Sequence, residues 1–336
     1  MPKRLKAILQ YILIIGVTVF LIWFSLRGLD GENKWEYIAN TWHNAKKSWL
    51  FIMAVLAVLS HIIRAERWRI LLKPAGCEST LAHSFISLMT GYLVNLVIPR
   101  GGEVSRCYNL YRLNHSPVEV SFGTVVIERI IDMICLLVLL VIAFAFEYEK
   151  LTAFIDTLPF QPTGLIEKLQ VVLIGMALLA LLAAIFYFIA KRSPKLKSTL
   201  KKILIGFKNG LATIFKLEKS GLFIFYSVAI WLLYFLMSYT VIKAFDETSH
   251  LGMTAVLSLF AIGSIAMAAP LPGGTGSYHT LVPAGLSFLY GISNSDAVAF
   301  TFVFHGWQTF IMIVGGAVSL ILTHFLVQAR LRKLGD

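Results

Sequence analysis

The sequence has 336 residues, of which 57% are hydrophobic and 14% are charged. Soluble domains carry about 25% charged residues, so this composition excludes an ordinary soluble protein and indicates a membrane protein. The net charge of +12 does not indicate nucleic-acid binding, because the lysines and arginines cluster in particular loops, as membrane topology requires. We therefore expect no nucleic-acid partner.

Six segments are long and apolar enough to be predicted as transmembrane helices. The first follows a basic N-terminus; it is longer than the apolar part of a signal peptide and no small-residue cleavage site follows, so we expect an uncleaved span. Between the first two spans, tryptophans recur on one side of the segment 35–49. This pattern predicts a helix at the outer membrane surface. The six spans are 7–26, 49–72, 118–146, 169–190, 221–244 and 296–327.

Two further apolar stretches, 81–98 and 251–270, differ because each ends at a cluster of proline and glycine, at 99–102 and 270–276, and a second helical stretch follows. We interpret each as a re-entrant hairpin, since irregular backbone at membrane depth is tolerated only inside protein or beside a water-filled cavity. The predicted fold is an all-α integral membrane protein with about six full transmembrane helices plus two re-entrant Pro-Gly hairpins.

The loop charges predict the topology. Segment 191–220 carries nine basic residues and one acid, whereas 147–168 carries four acids and two lysines, so we expect both termini in the cytoplasm of a bacterial inner membrane. Units 49–146 and 221–327 then have the same order of parts in opposite orientations, an inverted repeat within one membrane domain; the alternative is two unrelated Pro-Gly loops. Segment 191–220 is either an amphipathic helix on anionic headgroups or a loop that sets topology.

Arginines occur at the end of the second predicted span. Arg64 and Arg67 are three residues apart and share one helical face. Guanidinium groups suit the geometry of a phosphate, so the two side chains are candidates for holding an anionic headgroup. The alternative is that they extend to the cytoplasmic surface, with Glu66 as a partner at the rim.

The first Pro-Gly cluster also carries charge. Gly101 and Gly102 allow close approach to the backbone, and free N–H groups at the start of the following helix form an anion site. Arg100 and Arg106 add positive charge, and Glu103 is positioned to orient one of them. The alternative is a cytoplasmic loop with charges that cap helices.

Three ionisable residues lie in the span 118–146. Glu128 and Asp132 are four residues apart and share a face, and Arg129 neighbours that face. Such groups are costly in a membrane unless they are paired or hydrated. We expect the carboxylates either to pair with the arginines across the bundle or to contact the substrate.

The second Pro-Gly cluster has few charges. Its backbone amides, with Ser277, Tyr278 and His279, are candidates for meeting a headgroup from outside. His279 is either a proton carrier or a buried histidine bonded to a carbonyl, and we expect His305 to be a satisfied interior histidine.

Four motifs occur in order along nearly the whole chain. They are Arg64-x-x-Arg67-Trp68, Asn95-x-x-Ile98-Pro99-Arg100-Gly101-Gly102-Glu103-x-x-Arg106, Glu128-Arg129-x-x-Asp132 and Pro270-x-Pro272-Gly273-Gly274-x-Gly276. The set resembles the lysylphosphatidylglycerol synthase transmembrane family, also called flippase-like domain proteins.

The resemblance implies a membrane domain that moves lipids between leaflets. In the multiple peptide resistance factor such a domain is joined to a soluble aminoacyltransferase; this sequence ends at Asp336, so we expect no synthase activity. The family often carries an acid shortly after the second Pro-Gly motif, where this chain has Ser277, Tyr278 and His279.

The hypothesis favoured by the sequence is a transporter or flippase for an anionic phospholipid or a lipid-linked, for example polyprenyl-linked, substrate. The alternatives are a membrane enzyme acting on a lipid-linked sugar or phosphate, with Glu103, Glu128 or Asp132 as base or metal ligand, and a non-catalytic partner in envelope assembly. We expect no cofactor and no resident metal. The residues assigned to substrate binding are Arg64, Arg67, Asn95, Arg100, Gly101, Gly102, Glu103, Arg106, Glu128, Arg129, Asp132, Pro272, Gly273, Gly274, Gly276 and His279.

Overall fold

A computed structural model describes residues 3–29, 33–150, 153, 217–269 and 271–335. The predicted span 169–190 and nearly all of the basic segment 191–220 lie outside these residues. The chain divides into two compact units, one of Met1–Glu147 with Gly221–Asp336 and the other of Tyr148–Ser220. The larger unit contains the helices that carry the site.

The described residues form helices and connecting turns, and no strand occurs among them. The first half contains α1 (Lys3–Leu26), α2 (Lys34–Asn44), α3 (Lys47–Leu72), α4 (Leu81–Asn95), α5 (Gly101–Asn114) and α6 (Val118–Phe146). The second half contains α7 (Ser220–Ala244), α8 (Met253–Ala268), α9 (Ser277–Tyr290) and α10 (Asn294–Gly335), with a single helical turn at Asp246–Ser249. Short 3-10 turns occur at Lys73–Ala75 and Pro272–Gly274.

Within the described part of the chain, three helices are long and apolar enough to cross a membrane. They are Lys47–Ala75, Ser220–Ala244 and Asn294–Arg332, and Ile14–Leu26 and Met253–Ala268 are shorter apolar helices. These helices confirm the prediction of an all-α membrane protein. The count of six spans and the re-entrant character of the hairpins stay predictions.

The two predicted hairpins are each a pair of helices around a break. Helices α4 and α5 pack on each other, and α4 also contacts α3 and α10, while α8 packs on α9, which contacts α1 and α10. The α4–α5 crossing is close because a Cβ on Gly91 would lie only 2.8 Å from the Gly102 carbonyl oxygen. Small residues at such a crossing let two membrane helices approach closely.

The largest apolar core joins α3 with the helices of the second half. Met53, Val241, Val256, Leu286 and Phe300 are buried members of it. Lipid tails are as apolar as these side chains, so close van der Waals packing, rather than removal from water, holds the helices together. This core places α3 against α7, and that arrangement positions the site described below.

The predicted surface helix 35–49 is shorter than expected. Helix α2 ends at Asn44 because Ala45 has an extended backbone (φ −58°, ψ 138°). The N–H of Lys46 instead donates to the carbonyl oxygen of Ala244 at 2.8 Å. Trp49 therefore belongs to α3, and a contact with a residue distant in sequence sets the boundary.

Candidate functional site

Three arginines lie inside the bundle. Arg64 and Arg67 on α3 are 5% and 0% exposed, and Arg106 on α5 is 2% exposed. The guanidinium groups of the α3 pair are thus held among the helices rather than extended to the surface. The rim partner considered for them, Glu66, instead bonds to Arg69 at 2.6 Å.

Two carboxylates on α6 face these arginines. Glu128 Oε1 lies 3.3 Å from Arg67 Nη2, and its Oε2 accepts from Arg106 Nη2. Asp132 Oδ1 accepts from Arg67 Nη2 at 2.8 Å, and its Oδ2 accepts from Arg64 Nη2. The spacing of four residues aims both carboxylates at the same place. The pairing expected across the bundle is confirmed.

Uncharged side chains complete the arrangement. Arg64 Nη1 donates to the Tyr234 hydroxyl at 2.9 Å, and Arg67 Nη1 donates to Ser227 Oγ at 3.2 Å. Neither partner was predicted from the sequence, although the two lie seven residues apart on one face of α7. Trp68 was also assigned no role, but its ring centroid lies 4.4 Å from the Arg106 guanidinium carbon, a cation–π contact.

A more exposed pair borders the cluster. The side chain of Arg129 is 42% exposed and that of Glu103 is 20% exposed, and Arg129 Nε lies 3.5 Å from Glu103 Oε1. Arg129 Nη1 also lies 3.7 Å from Asp132 Oδ2. Glu103 was predicted to orient Arg100 or Arg106. It pairs with Arg129 instead, because α5 packs along α6.

The buried arginines, the carboxylates that pair with them and the bordering Arg129–Glu103 pair form a group that we call the arginine cluster. This group has more positive than negative charges. Its charged members in the described part of the chain are four arginines and three carboxylates: Arg64, Arg67, Arg106, Arg129, Glu103, Glu128 and Asp132. Nε and Nη1 of Arg106 are buried without a hydrogen-bond partner among the described residues. A buried charged donor left unpaired is costly. An anion reaching Arg106 would satisfy these donors and neutralise the excess charge.

The first break has a defined backbone. Arg100 takes a left-handed conformation, with φ +59°, directly before α5. Asn95 Oδ1 accepts from the Gly102 N–H at 2.7 Å, and the Gly101 N–H donates to the Ile98 carbonyl at 2.9 Å. These two amides are therefore already paired within the chain. The anion site that we predicted at the start of α5 finds no free donor at these two residues.

The second break depends on glycine. After Pro272, which begins the 3-10 turn, Gly273, Gly274 and Gly276 have φ values of +57°, +70° and +99°. Side-chain-bearing residues rarely adopt such angles.

Two histidines bind the second break. His305 Nε2 lies 3.0 Å from the Gly273 carbonyl oxygen, and His279 Nδ1 accepts from the Gly276 N–H at 3.4 Å. The interpretation of His305 as a bonded interior histidine is confirmed. His279 is also buried and bonded, to an amide rather than to a carbonyl.

The two breaks lie side by side. Arg100 Nη2 donates to the carbonyl oxygen of Ala268, at the end of α8, at 3.4 Å. A Cβ on Gly273 would lie 2.9 Å from Cδ2 of Leu96. The structure therefore gathers the predicted site residues into three groups: the arginine cluster; Asn95, Arg100, Gly101 and Gly102 at the first break; and Pro272, Gly273, Gly274, Gly276 and His279 at the second.

The all-helical fold, its membrane-capable helices and its buried charges define a multi-pass integral membrane protein. The chain belongs to the lysylphosphatidylglycerol synthase TM region family, whose model matches residues 9–316. It is 25% identical over 191 residues to a UPF0104 membrane protein of Methanocaldococcus jannaschii, a match covering 56% of this chain and 52% of that protein. The chain thus spans about half the length of this curated relative. No solved structure matches it.

Proposed function

We propose that this protein moves an anionic phospholipid or an anionic lipid-linked substrate between the leaflets of a membrane, and that the arginine cluster receives the headgroup. The observation that carries the proposal is the single excess positive charge of the cluster, in which two donors of Arg106 have no hydrogen-bond partner among the described residues. A phosphate accepts charge-assisted hydrogen bonds from guanidinium groups in favourable geometry. The partly exposed Arg129 would meet the headgroup first.

The route proposed for the lipid follows the two breaks. The arms of the hairpins contain 15 and 14 residues in α4 and α5, and 16 and 14 in α8 and α9, whereas a full span needs about 20. Each arm is too short to cross the membrane, and the two breaks contact each other. This arrangement is consistent with two re-entrant hairpins that enter the membrane from opposite faces. We propose the inverted repeat of units 49–146 and 221–327 on this ground, with both termini in the cytoplasm of an inner membrane.

The ion pairing of Glu128 and Asp132 favours lipid transport over an enzymatic reaction. Glu128 is fully buried between two arginines, and Asp132 bonds to two arginines. A general base must be able to reach the proton that it removes, and these groups are engaged as counter-ions. The enzymatic alternative is left with Glu103, at the edge of the cluster.

The proposal is tested in liposomes with Arg129→Gln. This change leaves the cluster with equal numbers of arginines and carboxylates and keeps every fully buried pair. The matched control is Arg112→Gln, in the last turn of α5 and outside the cluster. Leaflet exchange of fluorescent anionic phospholipids and polyprenyl phosphates is followed by quenching of the outer leaflet.

We expect wild type and Arg112→Gln to accelerate exchange, and Arg129→Gln to be about tenfold slower, equivalent to about 1.4 kcal/mol in the barrier. Exchange no faster than in empty liposomes for every lipid tested would refute transport. A stable protein partner that copurifies in that case would favour the role in envelope assembly.

A further inference from the structure

Hydrogen bonds made by two histidine side chains help to hold the second break in place within the bundle. His305 on α10 binds the carbonyl oxygen of Gly273, and His279 on α9 binds the N–H of Gly276. Ser277 Oγ also donates to the carbonyl oxygen of Ala266 at 2.7 Å. The two histidines therefore hold the backbone on either side of Gly274, where the chain is neither α8 nor α9.

The imidazoles also contact each other. Their ring centroids lie 4.8 Å apart at an interplanar angle of 85°, and the residues are 5% and 6% exposed. Among the described residues, the titratable groups facing His279 and His305 are each other and Tyr278 of α9, which stacks on His305 with ring centroids 5.1 Å apart. Helix α1 contributes Ser25, whose hydroxyl donates to the His279 carbonyl at 2.5 Å, and α10 contributes Phe302. These other neighbours are uncharged.

The hydrogen bonds assign different protonation states to the two rings. A carbonyl oxygen only accepts, so Nε2 of His305 carries a proton, and this bond persists when the ring becomes charged. An amide N–H only donates, so Nδ1 of His279 is unprotonated. A proton added at Nδ1 of His279 replaces the acceptor with a donor, and the bond to Gly276 is lost.

The closeness of the rings limits the pair to one added proton, since two positive charges this near each other in a buried place repel strongly. We propose that His279 and His305 form a site for this one added proton, which either ring can take, and that the Gly276 side of the second break is released when the proton lies on His279. Because the first break contacts the second through Arg100 and Ala268, this release loosens the place where the two hairpins meet. Its consequence for lipid movement rests on the proposed function; the opening itself does not.

The test measures access to the break directly. Cys77, Cys107 and Cys135 are free thiols, so they are first replaced by serine, and Thr275→Cys then provides one label site in the break. The rate of maleimide labelling is measured in detergent from about pH 8 to about pH 4.5, across the range where histidine titrates. Each rate is divided by that of free cysteine in the same buffer, which removes the common pH dependence of the reagent.

His279→Asn is the informative variant, because its side-chain oxygen can accept from Gly276 without titrating. His324→Asn, at an exposed position of α10, is the control. We expect normalised labelling to rise at least about fivefold on acidification in the parent and in His324→Asn, and to stay flat in His279→Asn. A flat parent profile, or an equal rise in His279→Asn, overturns the proposal.

Folding failure of His279→Asn does not remove the test, because the parent profile alone can still overturn the proposal, and His279→Gln offers the same non-titrating acceptor on a longer side chain. Leaflet exchange is measured on the same parent protein. If labelling of the break depends on pH but the protein gives no leaflet exchange, the proposed function is refuted and the proton site is not. If the protein gives exchange but labelling does not depend on pH, the proton site is refuted and the proposed function is not.

Discussion

Replacing Glu128 by glutamine tests whether the arginine cluster is held together by its charges. Glu128 is fully buried and bonds to both Arg67 and Arg106. Glutamine keeps the shape and one acceptor oxygen but removes the charge. Among the described residues, Asp132, whose side chain is 14% exposed, is then the one carboxylate bonded to the buried arginines. Removing one partner of a buried ion pair typically costs about 3–5 kcal/mol. We expect Glu128→Gln to lower the free energy of unfolding by that amount.

Reversible unfolding in mixed micelles of mild detergent and sodium dodecyl sulfate, followed by tryptophan fluorescence, measures this loss. Glu119→Gln is the matched control, because Glu119 is an exposed acid on the same helix. We expect this control to stay within about 0.5 kcal/mol of wild type. Unfolding curves of Glu128→Gln and wild type that coincide would refute the account of the cluster.

A double-mutant cycle separates the charge pair from other effects of the substitution. Arg106→Gln combined with Glu128→Gln removes one charge of each sign. We expect the double variant to be more stable than the sum of the single losses implies, by about 0.5–3 kcal/mol. Strictly additive losses would show that the two side chains act independently.

Three further expectations concern the first break. Stability is measured in each case by the same unfolding titration, and the Arg100 variant is also measured by leaflet exchange. Gly102→Ala places a methyl group 2.6 Å from the Asn95 side chain, so we expect a loss of about 1–3 kcal/mol; Gly123→Ala, which meets open space, is the control and should cost nothing. Asn95→Ala removes the acceptor for the Gly102 N–H and should cost about 1 kcal/mol, as loss of a helix cap does; no change would mean that the cap contributes nothing. A residue with a side chain is destabilised by about 1 kcal/mol in the left-handed conformation that Arg100 adopts. Arg100→Gly removes this strain but also removes the contact with α8. It should leave stability nearly unchanged and slow leaflet exchange, and unchanged exchange would place Arg100 outside the route.

Much of the helical framework could be predicted, because the length of an apolar segment and the proline, glycine or polar residues that bound it are local features of the sequence. The predicted span 118–146 matches α6 at both ends, since Pro117 precedes it and the polar Glu147 follows it. The partners of Glu128 and Asp132 were also predictable, because carboxylates in an apolar helix require positive charge nearby.

Other parts of the site could not be predicted, because they depend on contacts between residues far apart in sequence. The Arg64 and Tyr234 side chains meet across 170 positions, and a lone hydroxyl in an apolar helix gives no sign of its partner. Glu103 pairs with Arg129 rather than with the arginines near it in sequence, because packing of α5 on α6 sets its neighbours. The end of α2 depends likewise on a bond from Lys46 to Ala244.

The most direct test of the central claim is an electron cryo-microscopy map of the protein in a membrane of anionic phospholipid. We expect a lipid phosphate within about 3 Å of Arg106 Nη1 or of the Arg129 guanidinium, with the acyl chains leaving between helices. Headgroup density confined to the bilayer surface, with the cluster closed around its own carboxylates and no phosphate at either arginine, would contradict it.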